Sequence, residues 1–292
     1  MNQKKIYIGS AQFGSNYGIT NNNFLNINEI KKISDFAINN NINNIDTSPM
    51  YGNSEEIIGE LFNSFKITTK VPKYQFQDIG YSKWIERSFL RSLEAMRIKS
   101  LDTLLFHDME DFKNYYCKDC HELILNLKKL GKLKRVGFSI YDEEQLLIAL
   151  KKLNPDVVQV PYNIFDRRIE ESSILTQIRS KGTKVVARSI FLQGLLISND
   201  FSFKKLFGYK EVIFKQWFRL CNDQNIDPIH ACLDFVKQSN FIDGFIIGVS
   251  SLKEISQVMK AYFNAAQINI AINKVDDVSI IDPRQWNNGV SR

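Results

Sequence analysis

Residues 45–60 read IDTSPMYGNSEEIIGE, and they compress a strand end, a tight loop and a helix start into one short stretch. Ile45 and Asp46 close a β-like run at 43–46 (NNID), Tyr51 follows five residues later, and Asn53 opens a segment of helical period. Glu56 stands three residues after Asn53, the spacing of a capping box. An acid therefore ends a strand and a phenol stands in the loop that follows. Similar strand-then-helix units recur on both sides of this stretch. Strand candidates are 5–9 (KIYIG), 43–46, 66–70 (KITTK), 101–106 (LDTLLF), 134–138 (KRVGF), 156–160 (DVVQV), 183–187 (TKVVA) and 243–247 (DGFII). Eight such runs are the count that closes a parallel barrel.

Apolar residues at i, i+3 and i+4 predict helices over 27–40, 53–63, 82–96, 118–131, 142–152, 171–181 and 251–263. Asn26 with Glu29, Asp142 with Gln145, and Ser251 with Glu254 repeat the capping-box spacing. Helical segments between 209 and 239 exceed one crossover and read as an insertion, while 189–207 and the tail after 264 read as irregular. No Pro-, Gly- or Ser-rich linker divides the alternation, so the expectation is one α/β domain over 1–292, a (β/α)8 TIM barrel with extra helices and a C-terminal tail. A doubly wound sheet is the competing architecture. Its nucleotide-binding form needs G-x-G-x-x-G after the first strand, and GSAQFGSNYG at 9–18 does not supply it.

An apolar fraction of 44% and a charged fraction of 24% are ordinary for a globular chain and argue against disorder. The formal charge of +6 is spread among acids and Asn rather than gathered in a basic stripe, so nucleic acid is not an expected partner. No run approaches the ~20 apolar residues of a membrane span, and the start MNQKKIYIGSAQFG lacks a signal-peptide core, so the expected location is cytoplasmic. Four scattered cysteines suit a reducing compartment.

Asp46, Lys70 (ending TTK) and His107 (following LLF) each stand at the end of a strand candidate, with Tyr51 in the loop after Asp46. Active sites of α/β barrels gather at those ends. Each residue taken alone is more readily structural; the four together point to proton transfer. Reduction of a carbonyl needs a proton for the oxygen as hydride reaches the carbon. Tyr51 is the expected donor, Lys70 the charge that eases its release, Asp46 the group that holds Lys70, and His107 the group that orients the substrate oxygen. No acidic ligand cluster suggests a metal.

The segments GSAQFGSNYGI, IDTSPMYGNSEEIIGE, TTKVP, LLFHD, VGFSIY, VQVPYNIFDRR, ARSIFLQGLL and IIGVSS resemble the successive landmarks of the aldo-keto reductase family, over nearly the whole chain. The resemblance implies a barrel that binds NAD(P)H without a Rossmann domain, with Asp46, Tyr51, Lys70 and His107 as its catalytic tetrad. It also implies that Ser139 and Gln159 hold the nicotinamide carboxamide, and that Arg188, Ser189, Gly194 and Gly248 contact the cofactor. Ser250, Ser251 and Lys253 would face a 2′-phosphate at a helix N-terminus.

Three positions depart from the family pattern. Ile140 replaces the asparagine that usually follows Ser139. Arg188 stands where a tyrosine often stacks under the nicotinamide, and suits an anionic substrate or a cofactor phosphate instead. Glu254 stands where NADPH-preferring members have an arginine. NADPH is thus the family default, with NADH the alternative that Glu254 favours and a plain capping box its structural reading.

The implied partner is a small carbonyl substrate, with a keto or aldehydo sugar suggested by likeness to bacterial members linked to surface polysaccharides. Arg167 and Arg168 suit either anionic groups or surface ion pairs, and Trp286 either closes over substrate or pins the tail. A barrel that binds cofactor in a regulatory role, or one catalysing isomerisation or elimination, are the rival functions. Cys117-Lys118-Asp119-Cys120-His121 spells a haem-attachment pattern, but it opens a helix whose apolar rows continue through Leu127, so ordinary helix residues are expected there.

Overall fold

The computed structural model describes residues 3–14, 25–75, 77–170, 172–200, 204–264, 268 and 272–286. Eight parallel strands close into a barrel in sequence order. They are β1 Lys5–Gly9, β2 Asn44–Asp46, β3 Lys66–Val71, β4 Leu101–Phe106, β5 Leu133–Ser139, β6 Val157–Pro161, β7 Lys184–Arg188 and β8 Gly244–Gly248. The expected runs lie within a residue or two of these bounds. β1 pairs with both β2 and β8, so no edge is left unpaired.

The main core lies between strands and helices, where Ile8, Ile45, Phe106, Val158 and Phe245 meet helix residues such as Ile33, Ile58, Phe89 and Ile124. A separate small cluster of Tyr7, Leu105, Val157 and Val186 fills the barrel lumen. Large side chains of this kind each stabilise the fold by roughly 1.5–3 kcal/mol when fully buried. The polar layer that forms the site lies in the lumen at the C-terminal ends of the strands.

Helices Ile27–Asn39, Ser54–Leu61, Tyr81–Ala95, Lys118–Lys129, Glu143–Leu150, Ser173–Ser180 and Leu252–Asn264 answer the expected periodic segments, and the insertion is two helices, Glu211–Asp223 and Pro228–Gln238. A further helix, Met109–Tyr115, has no counterpart in the sequence reading. Its cap is Asp108, whose carboxylate accepts from Glu110 N and Asp111 N at 3.0 Å each. The expected caps divide. Asp142 accepts from Gln145 N at 2.9 Å while Gln145 Oε1 accepts from Tyr141 N at 2.8 Å, a capping box displaced by one residue. Asn53 makes no side-chain cap bond, because the preceding Gly52 is left-handed and leaves Asn53 near φ −92°, ψ 23°, outside the extended geometry a cap uses.

Segments expected to be irregular are held by specific bonds. The loop after β7 carries Ser189, Leu192, Gln193 and Gly194 at positive φ, three of them with side chains that disfavour it. Asn163 Nδ2 donates to Ser189 O at 3.0 Å and Trp217 Nε1 donates to Leu196 O at 2.8 Å, which fixes both ends. Trp286 pins the tail: it meets Phe207 edge-on and its Nε1 donates to Ile280 O at 3.2 Å. Arg168 pairs with Asp166 and Asp282, and Arg167 donates to Ile164 O and Ile272 O, so both arginines brace loops. Among the described residues, no helix is long and apolar enough to cross a membrane.

The loop that presents Tyr51 depends on two glycines. A Cβ on Gly14 would lie 2.1 Å from Tyr51 O, and one on Gly52 would lie 2.0 Å from Gly14 O. Gly52 also has φ +58°. Backbone here touches backbone, which cannot swing aside as a side chain can. Gly14→Ala is expected to lower unfolding free energy by about 1–3 kcal/mol, as overpacking does, measurable by urea denaturation against Gly248→Ala, where the nearest atom to the added Cβ is Gln12 Oε1 at 3.7 Å.

Candidate active site

Parallel register sets Asp46 beside Thr68, so Lys70, two residues farther along β3, faces the same side and leans over Asp46. Lys70 Nζ donates to Asp46 Oδ1 at 2.6 Å and to Thr47 O at 2.8 Å, with both charged side chains buried. From the far side of the lumen, Gln159 Nε2 donates to Asp46 Oδ2 at 2.5 Å. An ionised carboxylate only accepts, so this contact determines which end of the amide faces Asp46. Gln159 Oε1 is left buried without a partner.

Ser54 joins the strand ends around Tyr51. Its Oγ lies 2.7 Å from Ser10 Oγ and 3.1 Å from both Ser10 O and Thr47 Oγ1. Glu55, also buried, accepts from Thr69 Oγ1 at 2.7 Å and Ser92 Oγ at 3.2 Å, and burial raises its pKa. Neither residue was assigned a role from sequence, although both stand in the quoted YGNSE run.

The Tyr51 ring centroid is 5.2 Å from Lys70 Nζ. Burial first, then the Asp46 charge, push the phenol above its ordinary pKa, while Arg188 acts in the opposite sense. The expected acidification by Lys70 is therefore not what this arrangement delivers. Burial and the Asp46 charge outweigh Lys70, whose ammonium lies 2.6 Å from the Asp46 carboxylate. His107 follows directly on β4, and burial, then Lys70 and Arg188, hold its pKa down at about 3. The imidazole is neutral at any ordinary pH.

These four residues line a cleft of about 240 Å³ together with Ser139, Gln159, Arg188, Ser189, Gly194 and Gly248. Ser250, Ser251 and Lys253 do not line it, whereas Glu254 does. Glu254 Oε2 accepts from Ser250 N at 2.7 Å and Ser251 Oγ accepts from Glu254 N at 3.1 Å, a capping box displaced by one residue as at Asp142. Glu29, expected to close a box at Asn26, instead reaches Leu252 N at 2.8 Å. Two carboxylates thus occupy the N-terminus of helix Leu252–Asn264 where a phosphate was expected.

Ile140 is packed in the core; its N–H donates to Gln159 O at 2.9 Å and its carbonyl accepts from Arg188 Nη2 at 3.1 Å. Tyr141, which lines the cleft next to it, has the Arg188 guanidinium 4.0 Å from its ring centroid and that of Arg284 3.6 Å away. Sequence reasoning missed Tyr141 and Arg284. VGFSIY carried the first, but nothing local foretold that the tail would return to it.

Cys117 and Cys120 are free, with Sγ atoms 3.6 Å apart. Cys120 is buried within helix Lys118–Lys129 and its pKa is pushed up to about 11, chiefly by burial. Among the described residues no group of three or more His, Cys, Asp or Glu could hold a metal.

The orphaned Gln159 Oε1 is an acceptor awaiting an N–H donor. A nicotinamide carboxamide offers one, so the residues present fit that cofactor.

A family model for the aldo/keto reductase family matches residues 5–277. D-arabinose 1-dehydrogenase of Saccharomyces cerevisiae is 23% identical over 255 residues, which cover 80% of this chain and 76% of that enzyme. NADH-specific methylglyoxal reductase of Escherichia coli is 25% identical over 273 residues, 80% of this chain and 81% of the other. The holo form of an aldo-keto reductase from Bacillus halodurans superposes with a TM-score of 0.73 at 19% identity, over 91% of this chain and 88% of that one, a likeness of fold. With the match running from β1 past β8, the chain belongs to the aldo/keto reductase family and is an NAD(P)H-dependent oxidoreductase acting on carbonyl and alcohol groups.

Proposed function

We propose that the chain reduces the carbonyl of a small polar compound, an open-chain sugar or a short oxoaldehyde, to an alcohol, with Tyr51 donating the proton. The observation that carries this reading is the buried Asp46–Lys70 pair beside the Tyr51 ring, within one cleft that also holds neutral His107. NAD(P)H, when bound, supplies the hydride. Burial keeps Tyr51 in the protonated form a donor needs. Its raised pKa is no obstacle, because an oxygen turning into an alkoxide is a stronger base than a phenolate. Once the proton has left Oη, the Lys70 ammonium stabilises the phenolate, and Asp46 keeps that ammonium charged and aimed. A ring N–H of His107 directs the substrate oxygen without competing for the proton, its imidazolium being disfavoured by burial and two nearby cations.

Ser139 and Gln159 hold the carboxamide, Gln159 accepting through Oε1. NADH is the favoured form of the cofactor. Glu254 and Glu29 fill the helix terminus that a 2′-phosphate would use, and the repulsion of two carboxylates opposes a third anion. One relative is named as NADH-specific, which supports the same preference.

Turnover, stability and cofactor preference each test this reading. Tyr51→Phe should lower kcat by roughly 10²–10⁴, the usual share of general acid catalysis, while circular dichroism shows an unchanged fold; turnover close to wild type would rule Tyr51 out as donor. Lys70→Met leaves Asp46 as an unpaired buried anion and should cost about 3–5 kcal/mol in chemical denaturation. The double variant Asp46→Asn/Lys70→Met should regain part of that stability and none of the turnover. At matched concentrations kcat/KM should favour NADH, and Glu254→Arg should shift the ratio toward NADPH by several-fold to about tenfold, the scale of an exposed charge reversal.

A further inference from the structure

We propose that Arg188 binds an anionic group on the substrate, which makes the preferred substrate class a carbonyl compound carrying a carboxylate or a phosphate. The inference deepens the reading of this cleft as a carbonyl-reducing site and rests on it.

Arg188 ends β7 and lines the cleft with Tyr51 and His107, close enough that its charge is felt at both. The guanidinium has no carboxylate within ion-pair distance among the described residues. Its neighbour across the Tyr141 ring, Arg284, differs in this respect: Asp282 accepts from Arg284 Nε at 2.9 Å and from Nη2 at 2.6 Å. Two guanidinium groups therefore flank one phenol, and only the outer one is neutralised. Of the five N–H donors that an arginine carries, Arg188 places one on Ile140 O, while its Nε is buried with no partner.

The bland alternative is a strut that only joins the β7 end to Ile140 and Tyr141. A strut needs neither a buried orphan donor nor an uncompensated charge beside the reacting groups. A carboxylate or phosphate in the cleft supplies the missing counter-charge and accepts the terminal N–H groups that Ile140 O leaves over, the paired geometry a guanidinium favours. Tyr141 stacked on one face restricts the guanidinium plane, so the fork is aimed before a ligand arrives. The same side chain would then place the carbonyl of a short substrate beside Tyr51 and His107.

The test compares matched neutral and anionic substrates on the NADH-loaded enzyme: glyoxal against glyoxylate, and D-glyceraldehyde against D-glyceraldehyde 3-phosphate. Wild type is expected to favour the anionic member of at least one pair by about tenfold or more in kcat/KM, and the pair that responds distinguishes carboxylate from phosphate. Arg188→Gln should remove that preference and Arg188→Lys should restore part of it. Calorimetric titration of oxamate against oxamide, again with NADH present, reads the same site without turnover. Oxamate binding about tenfold tighter than oxamide, and lost in Arg188→Gln, supports the anion site even if no carbonyl is reduced, so that failure of the reductase reading is seen separately. Equal binding of oxamate and oxamide together with equal use of neutral and anionic substrates overturns the proposal, as does an anion preference that survives in Arg188→Gln.

Discussion

Two opposite charges inside a barrel are costly to desolvate, and they persist only when each is fully bonded. Asp46 and Lys70 meet that condition by drawing on three separate parts of the fold: a 2.6 Å contact between β2 and β3, the Thr47 carbonyl, and an amide from Gln159 across the lumen. Much of the site follows from satisfying this pair. Gln159 is turned so that its oxygen is free, Lys70 is held near the Tyr51 ring, and the lumen above the small apolar cluster of Tyr7, Leu105, Val157 and Val186 is polar rather than filled.

The electrostatics around this pair differ from a simple account in which lysine acidifies tyrosine. At the imidazole the positive field comes from Lys70 and then Arg188, while at the phenol Arg188 opposes the Asp46 charge. Burial dominates both groups, keeping Tyr51 protonated and His107 uncharged.

At the helix terminus after β8 and at the end of β7, charge is arranged in opposite senses. Glu254 and Glu29 place negative charge against the N–H groups of Ser250 and Leu252, while Arg188 carries positive charge into the cleft without a carboxylate at ion-pair distance among the described residues. Positions that align with one another in a family can thus host different recognition, since the barrel supplies the scaffold and single side chains at strand ends set the chemistry.

Much of the fold was legible in the chain itself. Short apolar runs alternating with amphipathic segments determined eight strands and seven of the helices, because period and length are local properties. The placement of Asp46, Lys70 and His107 at strand ends was local too, and parallel pairing then brought them together. Other features had no local sign. Met109–Tyr115 is too short for its period to show, Asn53 fails as a cap because Gly52 turns the backbone, and Glu29 leaves its own helix to bond Leu252, 223 residues away. Arg284 reaching the Tyr141 ring and Gln159 reaching Asp46 are likewise contacts between distant segments. Sequence alone determined which residue types stand at each strand end; closure of the barrel decided which of them touch, because side chains far apart in the chain become neighbours only when the lumen forms.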